Sequence, residues 1–494
     1  MNGPFNEQRY RDLLEGLEIS EVRLSEVKTH TLDFRIEAEH YQKQYNEMKA
    51  VLLRHKCTEL SKLVAKPIQT GHTPSMKDNS FYGGNIKFIK TDNLRNNEIK
   101  YPFSHYLSAK GNNEIKRTEL QEDDIITTII GATYDVIARS CIIRKEILPA
   151  NINQNIARIQ PDKKKVNPEY LNIYLNTKYG KMFLEYLSRQ MEQVNLNCEE
   201  VGNVMIPLFS CVFQKEIAQL VRVAHDSLYE SKDTYAYAER ILLQELGLNN
   251  WQPSNSQTNE KSLKESFLSS GRLDAEHYQM KYDELEARIR KVPYKTIAEI
   301  QLFNARGVQP DYVEEGCVSV VNSKHILEDG LDYDNFERTT ESFLLSQKRA
   351  QIGYGDILIY TTGANIGRTQ AYLKHNHALA SNHVNILRVK GVNPIYLALV
   401  LNSPIGRLQT EKLCTGSAQV EIYPNDIEKF VVPILDETIQ ETIATKVQES
   451  FVMKTESKRL LSVAKEAVEI AISNSEEKAL QYIEKNENGV FNKV

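Results

Sequence analysis

The stretch RIEAEHYQ, residues 35–42, returns as RLDAEHYQ at residues 272–279. Six of the eight residues are identical, although 237 positions separate the two copies. Local chemistry does not require this repetition, because a helix can begin with many sequences. A repeat at such a distance is typical of a duplicated structural unit. The repetition therefore predicts two domains built on the same plan.

Three further pairs of matching segments follow the two octamers in the same order along the chain. DDIITTIIGATYD (123–135) matches GDILIYTTGANIG (355–367), VNPEYLNIYLNTKYG (166–180) matches VNPIYLALVLNSPIG (392–406), and QVNLNCEEVGNVMIPL (193–208) matches QVEIYPNDIEKFVVPI (419–434). The offset falls only from 237 to 226, so the halves differ by small changes in loop length. Each half has a β-rich run, a Gly-Ala turn and a helical stretch, which predicts a mixed α/β fold.

Each half ends in a long helical stretch with an apolar seam spaced four and three residues apart. The first seam is Ile217, Val221, Ala224, Leu228, Ser231, Tyr235, Ala238 and Leu242. The second is Ile443, Val447, Ser450, Lys454, Ser457, Leu461, Ala464 and Val468. This spacing is typical of a coiled coil, and two matched helices of about 50 Å favour mutual pairing over separate core helices. The polar middle of the second seam predicts looser packing there.

These repeats place the boundaries of the predicted segments. Residues 248–270 are rich in Asn, Ser, Gln and Lys and predict a linker. RDLLEGLEI at residue 11 resembles RILLQELGL at residue 240, as if a ring of two repeats had been opened there. The predicted segments are 1–33 as the N-terminal part of a permuted repeat, 34–208 and 271–434 as two domains, 209–247 and 435–473 as long helices, 248–270 as a linker, and 474–494 as a polar tail.

Composition places the chain among ordinary globular proteins. The hydrophobic fraction is 41% and the charged fraction is 26%. The six cysteines are scattered without metal-ligand spacing, and no signal peptide or membrane span is recognisable, so we expect a cytoplasmic protein with no metal. The net charge is −5, yet residues 54–200 hold 22 Lys and Arg against 17 Asp and Glu. This local excess of +5 favours an anionic partner for the first half.

Catalytic motifs are missing from the sequence. Asn167-Pro168-Glu169-Tyr170 and Asn393-Pro394-Ile395-Tyr396 differ at the third position from the Asn-Pro-Pro-Tyr motif of amino-methyltransferases. A helix start explains both segments better, with asparagine as the N-cap and proline in the first turn. The sequence contains no phosphate-binding loop and no recognisable S-adenosylmethionine loop. We therefore expect binding rather than catalysis.

Polar and basic residues in several loops are suited to nucleic-acid recognition. Lys and Arg supply charge for phosphates, whereas Asn and Gln can pair with base edges. A solvated loop before a core strand is the alternative interpretation of the segment 71–98. The predicted DNA contacts are Thr73, Ser75, Lys77, Lys90, Thr91, Asn93, Arg95, Thr133, Tyr134 and Gln154 in the first half, and Asn322, Ser323, Lys324, Thr361, Thr362, Asn365, Arg368, Asn382 and His383 in the second.

Three blocks together resemble a known family. They are GHTPS…FYGGNIKFIKTDNL, GDILI…GANIGR and the VNPxYLxxxLNS helix. They resemble the target recognition domains of Type I restriction–modification specificity subunits, and the resemblance covers nearly the whole chain. It implies two target recognition domains separated by two long antiparallel coiled-coil helices, with pseudo-twofold symmetry. The first half departs from the pattern, since it has GATYDVIAR where the second has GANIGR, so the resemblance does not fix the contacts of Thr133 and Tyr134.

The resemblance also implies the function. Such a chain binds a bipartite sequence in double-stranded DNA and docks methyltransferase subunits and, in many systems, a restriction and translocase subunit. It binds no cofactor itself, because S-adenosylmethionine belongs to the methyltransferase subunits. The alternatives are an S-like subunit of a Type II multisubunit system, a single-chain restriction–methylation enzyme, and a coiled-coil scaffold that binds no nucleic acid.

Overall fold

The computed structural model describes residues 6–18, 20–30, 36–190, 193–256, 258–416 and 420–487. Arg35 of the first octamer, Gln419 of the last repeated segment and residues 488–494 of the predicted tail lie outside the described residues. The chain divides into two compact units. Unit 1 comprises Met1–Asp226 and Ser457–Val494, and unit 2 comprises Ser227–Glu456. Both boundaries fall within long helices.

Unit 1 mixes short strands with helices. Its strands are β1 Cys57–Glu59, β2 Gln69–Thr70, β3 Tyr82–Ile89, β4 Leu94–Arg95, β5 Glu98–Ile99, β6 Tyr106–Leu107, β7 Ile125–Thr128, β8 Ile130–Gly131, β9 Ser140–Ile142, β10 Ala150–Ile152, β11 Ile156–Ile159, β12 Arg189–Gln190, β13 Val194–Asn195 and β14 Met205–Pro207. Its helices are α1 Glu7–Leu14, α2 Leu24–His30, α3 Lys43–Leu52, α4 Ala109–Glu114, α5 Pro168–Asn176, α6 Lys178–Leu187, α7 Cys198–Gly202 and the first part of α8 Cys211–Glu245.

Unit 2 has the same mixture of elements. Its strands are β15 Tyr294–Thr296, β16 Gln301–Arg306, β17 Val318–Val321, β18 Ile326–Leu327, β19 Gly330–Leu331, β20 Glu337–Thr339, β21 Gln351–Ile352, β22 Ile357–Tyr360, β23 Thr369–Ala371, β24 Ala378–Ala380, β25 Val384–Val389 and β26 Val431–Pro433. Its helices are α9 Phe267–Ser270, α10 Met280–Ile289, α11 Ile297–Ile300, α12 Glu341–Ser346, α13 Pro394–Asn402, α14 Pro404–Leu413, α15 Pro424–Ile427 and the first part of α16 Glu437–Ser473. The chain returns to unit 1 for the rest of α16 and for α17 Glu476–Glu487.

Strand pairing follows the same order in each unit. The main antiparallel sheet of unit 1 has the order β2-β11-β7-β9, and that of unit 2 has the order β16-β25-β22-β23. A second sheet in each unit contains one parallel pair, β3 with β10 in unit 1 and β17 with β24 in unit 2. A small hairpin, β4-β5 or β18-β19, completes each set. Two units with unrelated sequences would have no reason to share this order.

In each unit, the histidine of the repeated octamer forms a hydrogen bond to the end of a helix. Residues 38–41 and 275–278 form short 3₁₀ turns in which His40 and His277 are buried. His40 Nδ1 lies 2.9 Å from the carbonyl oxygen of Tyr186, at the end of α6. His277 Nδ1 lies 2.8 Å from the carbonyl oxygen of Lys412, at the end of α14. Because a carbonyl oxygen only accepts, each Nδ1–H donates to a carbonyl oxygen in the last turn of a helix, where the helix itself supplies no amide donor.

The helix-start interpretation of the two Asn-Pro segments is confirmed. The side chain of Asn167 accepts a hydrogen bond from the Tyr170 amide at 3.1 Å, and Pro168 is the first residue of α5. Asn393 caps α13 in the same way, accepting from the Ile395 amide at 2.9 Å. Capping and packing therefore account for these segments without any catalytic role.

The two long helices occur with bounds close to the predicted ones. The apolar seam of α8 packs against that of α16 in unit 1, where Val221 and Ala224 share a core with Ala464 and Val468. The seam also packs in unit 2, where Leu242 shares a core with Ile443 and Val447. Within unit 1 the first part of α8 thus shares a core with the last part of α16, and within unit 2 the last part of α8 shares a core with the first part of α16.

The expectation of looser packing in the polar middle of the seam is wrong. Ser231 and Ser450 of unit 2 are each only 2% exposed. The Ser231 hydroxyl donates to the Ser450 carbonyl oxygen at 2.8 Å. Serine is small, so the helices can approach closely while the hydroxyl satisfies its hydrogen bond on the helix backbone.

Two segments predicted as irregular are attached to the units. In the predicted linker, Trp251 packs against the core of unit 2, and Asn259 donates to the Tyr278 carbonyl oxygen at 2.7 Å. The predicted polar tail contains α17, whose Ala479 and Ile483 are buried in the core of unit 1. Composition hid both features, because a few apolar residues in a polar stretch suffice to anchor it.

Candidate nucleic-acid interface

The loop that precedes β3 brings the first group of predicted contacts together in unit 1. An added Cβ at Gly71 would lie 2.0 Å from the Ile152 carbonyl oxygen, so only glycine allows this close approach to the next loop. The Thr73 hydroxyl consequently lies at hydrogen-bond distance from Gln154. Ser75 and Lys77 lie exposed further along the same loop. In unit 2, Gly307 makes the equivalent approach to the Ala380 carbonyl oxygen.

Of the residues after β3, Lys90 presents a cation at the surface, whereas the Asn93 amide holds the loop together. Lys90 is half-buried, and its Nζ lies 2.9 Å from His105 Nδ1. Burial lowers the pKa of His105, and the Lys90 charge lowers it further. Asn93 is buried, and its amide donates to the Lys100 and Pro102 carbonyl oxygens at 3.0 and 3.2 Å. Asn93 therefore shapes the loop, with Thr91 half-buried beside it in the same short turn.

Arg95 lies in the β4-β5 hairpin, close to the turn that follows β8. Its Nη1 donates to the Asp92 and Leu94 carbonyl oxygens at 3.2 and 2.9 Å. In the turn, Thr133 is exposed, whereas Tyr134 packs partly against the core of unit 1. The turn ends at Arg139, which the sequence analysis did not select. Its signal was available, since Arg139 closes GATYDVIAR as Arg368 closes GANIGR.

The first predicted group in unit 2 is engaged in internal contacts. The Asn322 amide donates to Glu337 Oε2 at 2.8 Å and contacts the Tyr312 hydroxyl. Lys324 forms an ion pair with the same Glu337 carboxylate. Ser323 is half-buried next to them. Asn322 and Lys324 are therefore neutralised or committed where sequence reasoning expected open contacts.

The turn after β22 separates two buried hydroxyls from two exposed side chains. Thr361 is buried and donates to the His383 carbonyl oxygen at 3.0 Å. Thr362 is also buried. Asn365 at the tip of the turn and the side chain of His383 are exposed, and Asn382 beside it is half-buried. Asn365 and His383 are thus the open polar groups of this edge.

Arg306 is a second residue that sequence reasoning missed. Its guanidinium lies over the Tyr423 ring, 4.4 Å from the centroid, and 3.6 Å from Glu421. A hydrogen bond from Tyr423 lowers the pKa of Glu421, although burial opposes the shift, and the Arg306 charge lowers it further. Arg306 lies at the end of a core strand, and no local motif marked it. This acidic and basic edge distinguishes unit 2 from the more basic unit 1.

The part of the chain that the structure describes contains neither a candidate metal site nor a candidate membrane-spanning helix. Among those residues, no group of three or more His, Cys, Asp or Glu side chains could hold a metal ion. No described helix is both long and apolar enough to cross a membrane. The chain is thus a mixed α/β protein whose two units expose polar loops at equivalent sheet edges.

Comparison with known proteins gives the chain a relative. No family model matches it. The specificity subunit of the Type I restriction enzyme EcoBI from Escherichia coli is 28% identical over 156 residues. The match covers 32% of this chain and 30% of that subunit, so it spans less than a third of the relative's length. The resemblance to Type I specificity subunits is therefore confirmed.

Two solved structures are also similar. The S subunit of the Type I restriction–modification system of M. genitalium is matched over 87% of this chain and 95% of its own, with 13% identity and a TM-score of 0.38. The HsdS subunit from Thermoanaerobacter tengcongensis is matched over 85% of this chain and 97% of its own, with 14% identity and a TM-score of 0.28.

Proposed function

We propose that the chain is the DNA-binding specificity subunit of a restriction–modification complex. The observation that carries this proposal is the similarity to the Escherichia coli specificity subunit. The shared strand order of units 1 and 2 supports a duplicated pair of target recognition domains. Two such domains suit a bipartite target, because each unit can read one short block of base pairs.

The proposed contacts are polar side chains that lie exposed or half-buried at the loop edges. In unit 1 they are Thr73, Ser75, Lys77, Lys90, Arg95, Thr133 and Gln154, and in unit 2 they are Asn365 and His383. Lysine and arginine are assigned to phosphate oxygens, and the amide, hydroxyl and imidazole groups to base edges. Asn93, Thr361 and Thr362 are left out because they are buried, and Asn322 because its amide donates to the Glu337 carboxylate.

Methyl transfer and DNA cleavage are assigned to partner subunits. Methyltransferase subunits would carry S-adenosylmethionine, and a restriction and translocase subunit would join them in a complete system. The long helices α8 and α16 are proposed to form an antiparallel coiled-coil spacer between the two readers. The complex would act in the cytoplasm, where it meets cellular and incoming DNA.

Selection from a random duplex library tests the proposal. The chain is purified with its methyltransferase partner, and bound duplexes are recovered and sequenced through several rounds. We expect two short fixed blocks separated by a constant number of indifferent base pairs. A single continuous block, or no enrichment, would contradict the proposal.

Matched variants assign the blocks to the units. Gln154→Ala in unit 1 should relax one position of one block, and Asn365→Ala in unit 2 should relax one position of the other. A lost base contact costs about 1–3 kcal/mol of discrimination, which a selection resolves. Relaxation of both blocks by either variant would argue against separate readers.

A further inference from the structure

An arginine closes the same turn in both units. In unit 1, the Arg139 carbonyl oxygen accepts a hydrogen bond from the Thr128 amide at 3.0 Å, directly before β9. In unit 2, the Arg368 carbonyl oxygen accepts from the Tyr360 amide at 2.8 Å, directly before β23. The backbone therefore holds Arg139 and Arg368 at equivalent positions of equivalent sheets.

A small hairpin lies beside this arginine in both units. In unit 1, the Asn97 amide donates to the Ser140 carbonyl oxygen at 2.9 Å, which places the β4-β5 hairpin next to Arg139. In unit 2, Gln370 Nε2 donates to the Leu327 and Glu328 carbonyl oxygens at 2.9 and 3.1 Å. The first turn residue of the hairpin is Asn96 in unit 1 and Glu328 in unit 2.

The charges around the two arginines differ at this position and at the preceding one, where unit 1 has Arg95 and unit 2 has Leu327. In unit 2, the Glu328 carboxylate lies 3.4 Å from Arg368 and 3.5 Å from Arg407, so it bridges the two guanidinium groups. In unit 1, Lys181 occupies the place of Arg407 in the corresponding helix, and Asn96 supplies no charge. Among the described residues, neither Arg95 nor Arg139 forms an ion pair within 4 Å.

The cations of unit 1 influence one another. Burial lowers the pKa of Arg139, and the neighbouring Arg95 charge lowers it further. Burial also lowers the pKa of Lys181, and so do the Lys465 and Arg139 charges, whereas Asp135 and Glu185 raise it. Three acids, Asp135, Glu185 and Glu98 (opposite Arg95 in the hairpin), offset most of the charge of the cluster of Arg95, Arg139, Lys181 and Lys465, and leave one positive charge in excess. An anion relieves such repulsion, and guanidinium groups match the geometry of phosphate oxygens.

We propose that Arg95, Arg139 and Lys181 of unit 1 form a binding site for a phosphate of the DNA backbone. At the equivalent place in unit 2, Glu328 neutralises Arg368 and Arg407, so that no phosphate binds there. The inference rests on the proposed DNA-binding function and adds an asymmetry to it. Unit 1 binds the DNA phosphates through its positive charges, whereas unit 2 depends more on contacts to base edges. The duplicated readers are thus equivalent in fold but unequal in salt dependence.

A reciprocal exchange of the hairpin residue tests this site. Asn96 and Glu328 are both exposed, so Asn96→Glu and Glu328→Asn should leave each fold intact. Binding of the full chain to a labelled random-sequence duplex is measured over a range of salt concentrations, which avoids any need for the target sequence. Each phosphate contact contributes a slope of about 0.9 to the dependence of log affinity on log salt.

Asn96→Glu should lower this slope by about 0.9, and Glu328→Asn should raise it by up to about 0.9. The combined exchange should return the slope close to that of the original chain. Gln44→Glu, on the exposed face of α3, adds the same charge to unit 1 outside the cluster. This control should change the slope much less than Asn96→Glu.

The outcomes separate the two proposals. If the original chain binds the duplex but Asn96→Glu changes the slope no more than Gln44→Glu does, the phosphate site is wrong and DNA binding stands. If Asn96→Glu leaves DNA binding unchanged but weakens binding of the methyltransferase subunit, the cluster serves an acidic protein surface instead, which also overturns the site. Failure of the original chain to bind any duplex would overturn both proposals.

Discussion

Glu169 connects three elements of unit 1 and offers a quantitative test of how that unit is held together. Its side chain is buried, and Oε1 accepts from Arg222 Nε on α8 at 2.7 Å. The same oxygen lies 3.3 Å from both Nη atoms of Arg144, in the segment after β9. Arg144 also contacts Asp123 at 2.9 Å. Glu169 thus ties α5 to α8 and to the edge of the sheet.

Unit 2 has uncharged residues at the positions of this ion cluster. The positions equivalent to Arg144, Glu169 and Arg222 are Leu373, Ile395 and Gln448. Leu373 and Ile395 belong to the apolar core of that unit. Replacing a complete buried ion cluster by apolar residues of similar size is often neutral, whereas removing one member leaves a buried charge unpaired. Unit 1 therefore has the charged version of this contact and unit 2 the uncharged version, and substitutions in unit 1 can copy the residues of unit 2.

The single change Glu169→Ile should destabilise unit 1 by about 2–3 kcal/mol. This loss is at or below the lower end of the usual range of about 3–5 kcal/mol for a broken buried pair, for two reasons. Arg144 keeps Asp123 as a partner, and the Arg222 side chain is 62% exposed, so water screens its charge. The triple change Arg144→Leu, Glu169→Ile, Arg222→Gln should recover stability to within about 1 kcal/mol of the original.

Native-state hydrogen exchange is the suitable assay, because a chain of two units does not unfold in one step. Protection of the amides in α5 reports the free energy of opening of unit 1. The single change should lower that protection roughly 30- to 150-fold, since about 1.4 kcal/mol corresponds to a factor of ten. Protection in α13 of unit 2 is the internal control. A loss below threefold, or a triple variant no better than the single one, would refute this role for Glu169.

Three further predictions follow from the described contacts. Asn167→Ala and Asn393→Ala should each cost about 1 kcal/mol, measured by hydrogen exchange of α5 and α13, because each removes an N-cap; equal loss in both helices from one variant would contradict local capping. Burial lowers the pKa of His277 below its ordinary value of 6.5, so stability should be lost as the pH falls below about 6.5, where the unfolded chain takes up the proton first; thermal melts at pH 7.5 and 5.5 should show this loss, and His277→Asn should reduce it. The purified chain should transfer no label from S-adenosylmethionine to duplex DNA without partners, and reproducible transfer would contradict the binding-only assignment.

Repetition made much of the fold predictable from the sequence. The octamers, the Asn-Pro segments and the apolar seams correspond to a buried histidine, a helix N-cap and packed long helices in each unit. These features depend on residues close in sequence or on a regular spacing, so a single chain reveals them. Ser231 and Ala479 could not be read correctly in the same way. Whether a small side chain in a polar stretch is buried depends on what lies opposite.

The candidate site was less predictable, because exposure and pairing are properties of the folded chain. The sequence around Lys324 does not indicate that Glu337 neutralises it. The sequence around Asn93 does not indicate that its amide donates to the Lys100 and Pro102 carbonyl oxygens. Arg139 was missed because only Thr133 and Tyr134 were selected from the first turn, although Arg139 ends that turn as Arg368 ends the second. The residue types of the loops were informative, but their division into open and engaged groups required the contacts.

Methylome sequencing of cells with and without this gene tests the proposed function most directly. The methyltransferase subunit is kept at the same level in both strains, so that only the reader differs. We expect methylation at one motif, made of two short blocks with a fixed gap, in the cells that contain the gene. Deletion should abolish that methylation, and a copy of the gene should restore it. Methylation that is identical in the two strains would show that the chain does not direct the methyltransferase to DNA.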